Sequence, residues 1–133
     1  MDTPSRPCIA ILDTSPDFID MLKEIMEIEE FDTISEYILN FRTGRSDIHS
    51  FFAMHKPNAV IYDVALPYQE NWQFLKHVLE ISGLRSCQFI VVTTNKRALD
   101  ALVGETGGLE ILGKPMDLDA LIQAVNDSLA NCR

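Results

Sequence analysis

The stretch Ala59-Val60-Ile61-Tyr62-Asp63-Val64-Ala65-Leu66-Pro67 decides the reading, because an apolar run of strand length ends on a carboxylate and then meets a proline-bounded turn. Side chains alternate between the two faces of a sheet, so an unbroken apolar run signals a strand covered on both faces. The pattern recurs on either side. Cys8-Ile9-Ala10-Ile11-Leu12 ends at Asp13, Phe89-Ile90-Val91-Val92 ends at Thr93, and Leu109-Glu110-Ile111-Leu112-Gly113 stops just short of Lys114. A further strand is predicted over 33–37.

Helical periodicity fills the gaps. Ser15 suits an N-cap and Pro16 the first helical position, and Phe18, Met21, Leu22 and Ile25 recur at the spacing of one buried stripe. Asp17 and Asp20 then lie near the positive end of that helix. Leu118, Leu121, Ile122, Val125 and Leu129 form a second stripe after an Asp117 cap. Other helices are predicted over 47–54, 71–81 and 96–103. Breaks fall at 43–46, 67–70 and 105–108, where Gly107 and Gly108 are free to take positive φ.

Strands alternating with helices predict β-α-β units and a parallel sheet with both faces covered. The C-terminal ends of parallel strands share one edge, so Asp13, Asp63, Thr93 and Lys114 converge there. Neighbouring carboxylates repel, and a hard cation such as Mg2+ or a fixed lysine relieves the repulsion. A lone aspartate at a strand end would more simply be a cap; the company of the other three favours chemistry.

The chain has 133 residues, 47% of them hydrophobic, which suits a single domain over 1–133 with no output domain. A formal charge of -9 argues against binding nucleic acid phosphates or an anionic membrane surface. There is neither an apolar run of about eighteen residues nor a signal-peptide pattern at the N-terminus, so a cytoplasmic location is expected. Cys8, Cys87 and Cys132 lack metal spacing and are read as reduced thiols. His49, His55 and His77 are read as surface or packing residues, and Trp72 as a packing residue.

Other chemistries fit less well. Asp13-Thr14-Ser15-Pro16 has no glycine with which to cradle a flavin phosphate, and the glycine patterns of nucleotide-binding loops are absent. Nothing near Asp63 supplies the second acid–base group that an aspartyl phosphatase would need.

Ile11-Leu12-Asp13-Thr14-Ser15-Pro16-Asp17, the stretch from Pro57 to Pro67, Val91-Val92-Thr93-Thr94 and Gly113-Lys114-Pro115 together resemble the receiver domain of two-component response regulators, in order and spacing, over nearly the whole chain. The resemblance implies a flavodoxin-like (βα)5 fold, a doubly wound five-stranded parallel sheet of order 2-1-3-4-5 with five helices. Chemotaxis receivers have that strand order. It implies that Asp63 takes a phosphoryl group from a histidine kinase or phosphotransfer protein, that Lys114 pairs with the phosphoryl oxygens, and that Thr93 hydrogen-bonds one of them. Mg2+ would be held by Asp13, Asp63 and the backbone carbonyl of Ala65. Catalysis would be limited to self-phosphorylation and dephosphorylation, output would pass by contact with an unidentified downstream protein, and the Lys114-Pro115 bond would be cis.

The chain also departs from the family pattern. Thr14 replaces the second carboxylate of the acidic pair, so Mg2+ is expected to bind weakly. Asn71 stands where glycine is common, Ile111 where an aromatic switch residue is common, and Gly113 where a small polar residue often precedes the lysine. The rival reading is a receiver-like interaction module that is never phosphorylated.

Overall fold

The computed structural model describes residues 6–104, 109–114 and 117–131. Strands β1 (Cys8–Asp13), β2 (Asp32–Tyr37), β3 (Ala59–Asp63), β4 (Phe89–Thr93) and β5 (Glu110–Gly113) form one sheet in the order β2-β1-β3-β4-β5. Every neighbouring pair is parallel. The fold class and strand order implied by the resemblance are therefore those observed. The expectations at Gly107, Gly108, Pro115 and Cys132 lie outside the described residues.

Helices α1 (Pro16–Ile28), α2 (Ile38–Arg42), α3 (Ile48–His55), α4 (Tyr68–Ser82), α5 (Lys96–Val103) and α6 (Leu118–Asn131) connect the strands, with a 3-10 turn at Ser86–Gln88. Five helices are expected by resemblance; among the described residues the segment after β2 is divided in two. Gly44, at φ 79°, turns the chain between α2 and α3. One helical turn is too short to show periodicity, so α2 left no sequence signal. Helix α4 also begins ahead of the predicted 71–81, because Pro67, at φ −74°, can serve as its N-cap.

Alternation along the strands builds two cores. Ala10, Leu12, Val60, Tyr62 and Val91 face one side with Phe41, Phe52, Leu75 and Ile111, and Trp72 packs against that cluster. Ile9, Ile11, Ile61, Ile90 and Val92 face the other with Leu22, Met26, Leu121 and Val125.

The α1 stripe is rotated from the predicted one. Ile19, Leu22 and Met26 are its buried residues, Phe18 and Ile25 flank them, and Met21 is 37% exposed. Leu118, at 39% exposure, likewise lies at the margin of the α6 stripe, while Ala124 is buried. Small and flexible apolar residues fill such margins without changing the period, which makes the rotation hard to read from spacing alone. Cys8 is a free thiol, as expected. Cys87 is disulfide-bonded, which corrects the reduced-thiol reading there, since spacing along the chain does not reveal which cysteines folding brings together.

Truncating a fully buried Leu22 leaves a cavity as well as losing transfer free energy. Leu22→Ala should cost about 2–5 kcal/mol in urea unfolding, whereas Met21→Ala should change stability by only about 0.5 kcal/mol. Equal losses would contradict the observed orientation of α1.

Candidate functional site

Asp13 and Asp63 end β1 and β3, which are neighbours in the sheet, and each is nearly inaccessible at 1% and 4% exposure. Their environments differ. Asp13 Oδ1 accepts the backbone N–H groups of Thr14 at 2.6 Å and Ser15 at 3.0 Å, an arrangement that turns the chain into α1. Ser15 then accepts the N–H of Phe18 at 3.3 Å as the N-cap expected of it. With Oδ1 committed to the backbone, the second oxygen of Asp13 is left for the site.

Lys114 meets that need. Its ammonium lies 2.9 Å from Asp63 Oδ1 and 3.6 Å from Asp13 Oδ2, while neither oxygen has an aligned hydrogen bond from any other group. The Lys114 backbone N–H donates to the Thr93 carbonyl at 2.6 Å, so the end of β4 fixes where the lysine leaves the sheet. Phe18 of α1 stands on the other side, with its ring centroid 4.0 Å from the ammonium, a cation–π contact invisible in the sequence.

Burial raises the Asp63 carboxyl above its ordinary pKa, and the Asp13 carboxylate adds to the rise. Lys114 and a 3.4 Å hydrogen bond from the Thr14 hydroxyl to Asp63 Oδ2 act in the opposite direction. Two carboxylates and one ammonium leave this buried corner with a net charge of -1 when all are ionised.

Thr93 is fully buried at the end of β4, but its hydroxyl accepts the Asn95 N–H at 3.4 Å rather than bonding Asp63. Beyond it, the Thr94 hydroxyl lies 3.1 Å from that of Tyr68, which links the loop after β4 to the start of α4. Ile111 is buried at 7% exposure within the core, so no polar group at that position can sense the site.

Thr14, Asp63 and Ala65 line a cavity of about 160 Å³ together with Ile38, Leu39, Arg42, Tyr62, Leu66, Pro67 and Asn71. Carboxylate and carbonyl oxygens suit a hard divalent cation, and Asp13 Oδ2 and Asp63 Oδ1, whose described partner is the Lys114 ammonium, are the oxygens on which such an ion would share that place. Among the described residues no cluster of three or more His, Cys, Asp or Glu side chains exists, so such an ion would depend on two carboxylates, a carbonyl and water. This donor set fits a loosely held Mg2+.

The fold has counterparts elsewhere. The chain is 25% identical over 123 residues to the protein PilH of Pseudomonas aeruginosa, covering 92% of this chain and 97% of that one. It is 26% identical over 96 residues to the response regulator Rre1 of Synechocystis, covering 71% of this chain and only 42% of Rre1. A two-component response regulator from Clostridium difficile superposes with a TM-score of 0.73 at 20% identity, covering 95% of this chain and 98% of that one. A CheY-like response regulator from Mesorhizobium loti gives 0.67 at 18% identity, covering 93% and 99%. No family model matches the chain.

Folding raises the Asp63 pKa above its unfolded value, so the native state holds this proton more tightly than the unfolded chain does. The resulting stabilisation is complete below the unfolded carboxyl pKa and is lost as pH rises through the folded one. Asp63→Asn removes the surplus charge while Lys114 keeps Asp13 as partner. It should therefore raise stability at neutral pH by about 1 kcal/mol, or roughly 4 °C in Tm, with the gain shrinking on acidification. A variant that melts below the wild type at neutral pH would refute this balance.

Proposed function

We propose that the chain, whose fold is that of response-regulator receivers, is itself a receiver domain, that Asp63 accepts a phosphoryl group from a histidine kinase or phosphotransfer protein, and that the signal passes on by protein–protein contact. The observation that carries the reading is the pairing of a buried, strand-end carboxylate with the Lys114 ammonium at 2.9 Å. A carboxylate oxygen attacks phosphorus, the bond from phosphorus to the donor nitrogen breaks, and the electron pair leaves with the imidazole. The charge that builds on the phosphoryl oxygens needs positive partners already in place.

Lys114 is such a partner, anchored through its backbone to Thr93 and through its ammonium to Phe18. Mg2+, when bound, would supply further Lewis acidity; Asp13, Asp63 and the Ala65 carbonyl are the oxygens that would hold it. Thr93 sits one residue along β4 from Val92, the register partner of Asp63, so a modest rotation of its hydroxyl away from Asn95 would bring a donor toward the new phosphoryl group. Ile111 can neither donate nor accept, and as a β-branched residue its χ1 is stiff, so the change is transmitted through Thr93 and the loop after it.

Apart from forming and hydrolysing its own phosphoaspartate, the domain does no chemistry in this reading. It acts in the cytoplasm in this reading, with no nucleic acid or membrane partner. Among the described residues no helix is long and apolar enough to cross a membrane. The Thr14 hydroxyl bonded to Asp63 favours a second reading, a receiver-like module used only for binding.

Incubation with acetyl phosphate and Mg2+ separates the two. The wild type should gain one phosphoryl mass in intact mass spectrometry and Asp63→Asn none; an adduct that survives Asp63→Asn, or no adduct at any Mg2+ concentration, removes Asp63 as acceptor. Thr14→Asp adds a charged hard oxygen and should tighten Mg2+ binding by about 1–3 kcal/mol in calorimetric titration. Unchanged affinity would remove position 14 from the metal.

A further inference from the structure

Asn71, in the first turn of α4, sends its side chain back to the loop it has just left. Its amide nitrogen donates to the Ala65 carbonyl at 2.7 Å, while its amide oxygen accepts from the Arg42 guanidinium at 2.5 Å. The orientation of the amide follows from its partners. A guanidinium has only donors and a backbone carbonyl is only an acceptor, so the Asn71 oxygen must face Arg42 and its NH2 must face Ala65. Arg42 is held in turn by the Phe74 ring, 5.7 Å below its guanidinium carbon.

We infer that Asn71, oriented by Arg42, is a gate on the cation position, capping the carbonyl that a divalent ion would have to take. The inference rests on the cation reading of Asp13, Asp63 and Ala65 above and is independent of phosphotransfer. An amide N–H cannot ligate a hard cation, and its hydrogen bond takes one of the two lone pairs of the Ala65 carbonyl oxygen, so the ion must compete with it for that oxygen's electron density and approach.

The neighbouring oxygens are similarly engaged. The Thr14 hydroxyl bonds Asp63 Oδ2 at 3.4 Å, and Lys114 contacts both carboxylates. Thr14, Asp63, Ala65, Asn71 and Arg42 line the same cavity, so the gate forms part of the wall of the space in which the ion would sit. The guanidinium also offsets the surplus negative charge of the two carboxylates and Lys114, which lowers the field that attracts a dication.

The gate has a mechanical consequence. Arg42 is the last residue of α2 and Asn71 belongs to α4, so loading the cation requires these elements to release one another. A partner that moved α2 would open the site, and by reciprocity a bound cation would weaken the α2–α4 contact.

Calorimetric titration of Mg2+ into the full chain tests this directly, with circular dichroism confirming that each variant is folded. Asn71→Ala removes the cap without changing charge and should bind Mg2+ about five- to tenfold tighter, the effect expected for losing one competing hydrogen bond. Arg42→Gln should also tighten binding, and part of its gain should persist at 1 M salt, where the Debye length is about 3 Å and lost charge counts for little. Equal affinity of wild type and Asn71→Ala would reject the gate and leave the cation site standing. Weaker binding by Asn71→Ala would reject it too, identifying the amide oxygen as a ligand. Absence of binding in every variant would reject the cation site itself, whatever the mass-adduct experiment shows.

Discussion

The Lys114 ammonium, 2.9 Å from Asp63 and 3.6 Å from Asp13, makes it possible to hold two carboxylates side by side out of water at the sheet edge. An isolated carboxylate in such a place would cost several kcal/mol of lost hydration. Without the lysine, the ends of β1 and β3 could not stay together with both side chains ionised. The ammonium is positioned by groups that do no chemistry themselves: the Thr93 carbonyl, which accepts its backbone N–H, and the Phe18 ring. The edge is therefore a set of charges balanced to within one unit, with Asp63 holding the less stabilised of them.

That balance connects fold to signalling. A group that arrives with charge of its own, whether phosphoryl or cation, must be matched by movement of the donors now engaged on these oxygens. Thr14 and Lys114 are engaged on the carboxylates and Asn71 on the Ala65 carbonyl, while the Thr93 hydroxyl is held by the Asn95 N–H. Tyr68 and Thr94 join the loops on either side, so a shift at one is felt at the other.

Much of this was legible in the sequence because the strands are apolar from end to end and each stops at a polar residue. Asp13, Asp63, Thr93 and Lys114 could be placed on one edge without knowing their distances. What periodicity could not give was the exact rotation of α1, since Met21 and Ile19 are both apolar and only packing chooses between them. It also missed α2, which is one turn long, and with it Arg42. In the sequence Asn71 stands out only as a departure from glycine. Its bond to Ala65 joins residues six apart, while Arg42 reaches it across 29 positions, a pairing that no local pattern records. The Cys87 disulfide and the Lys114–Phe18 contact are tertiary in the same sense.

The central claim is that Lys114 sets the charge state of the buried pair. Carbon-13 NMR titration of the aspartate carboxyl groups in the wild type and in Lys114→Met measures it directly. The account predicts an Asp63 carboxyl that titrates above the usual carboxylate range in the wild type and rises further when the ammonium is removed, because burial and Asp13 then act unopposed. An Asp63 titration at the ordinary position, or one that does not move in Lys114→Met, would contradict it.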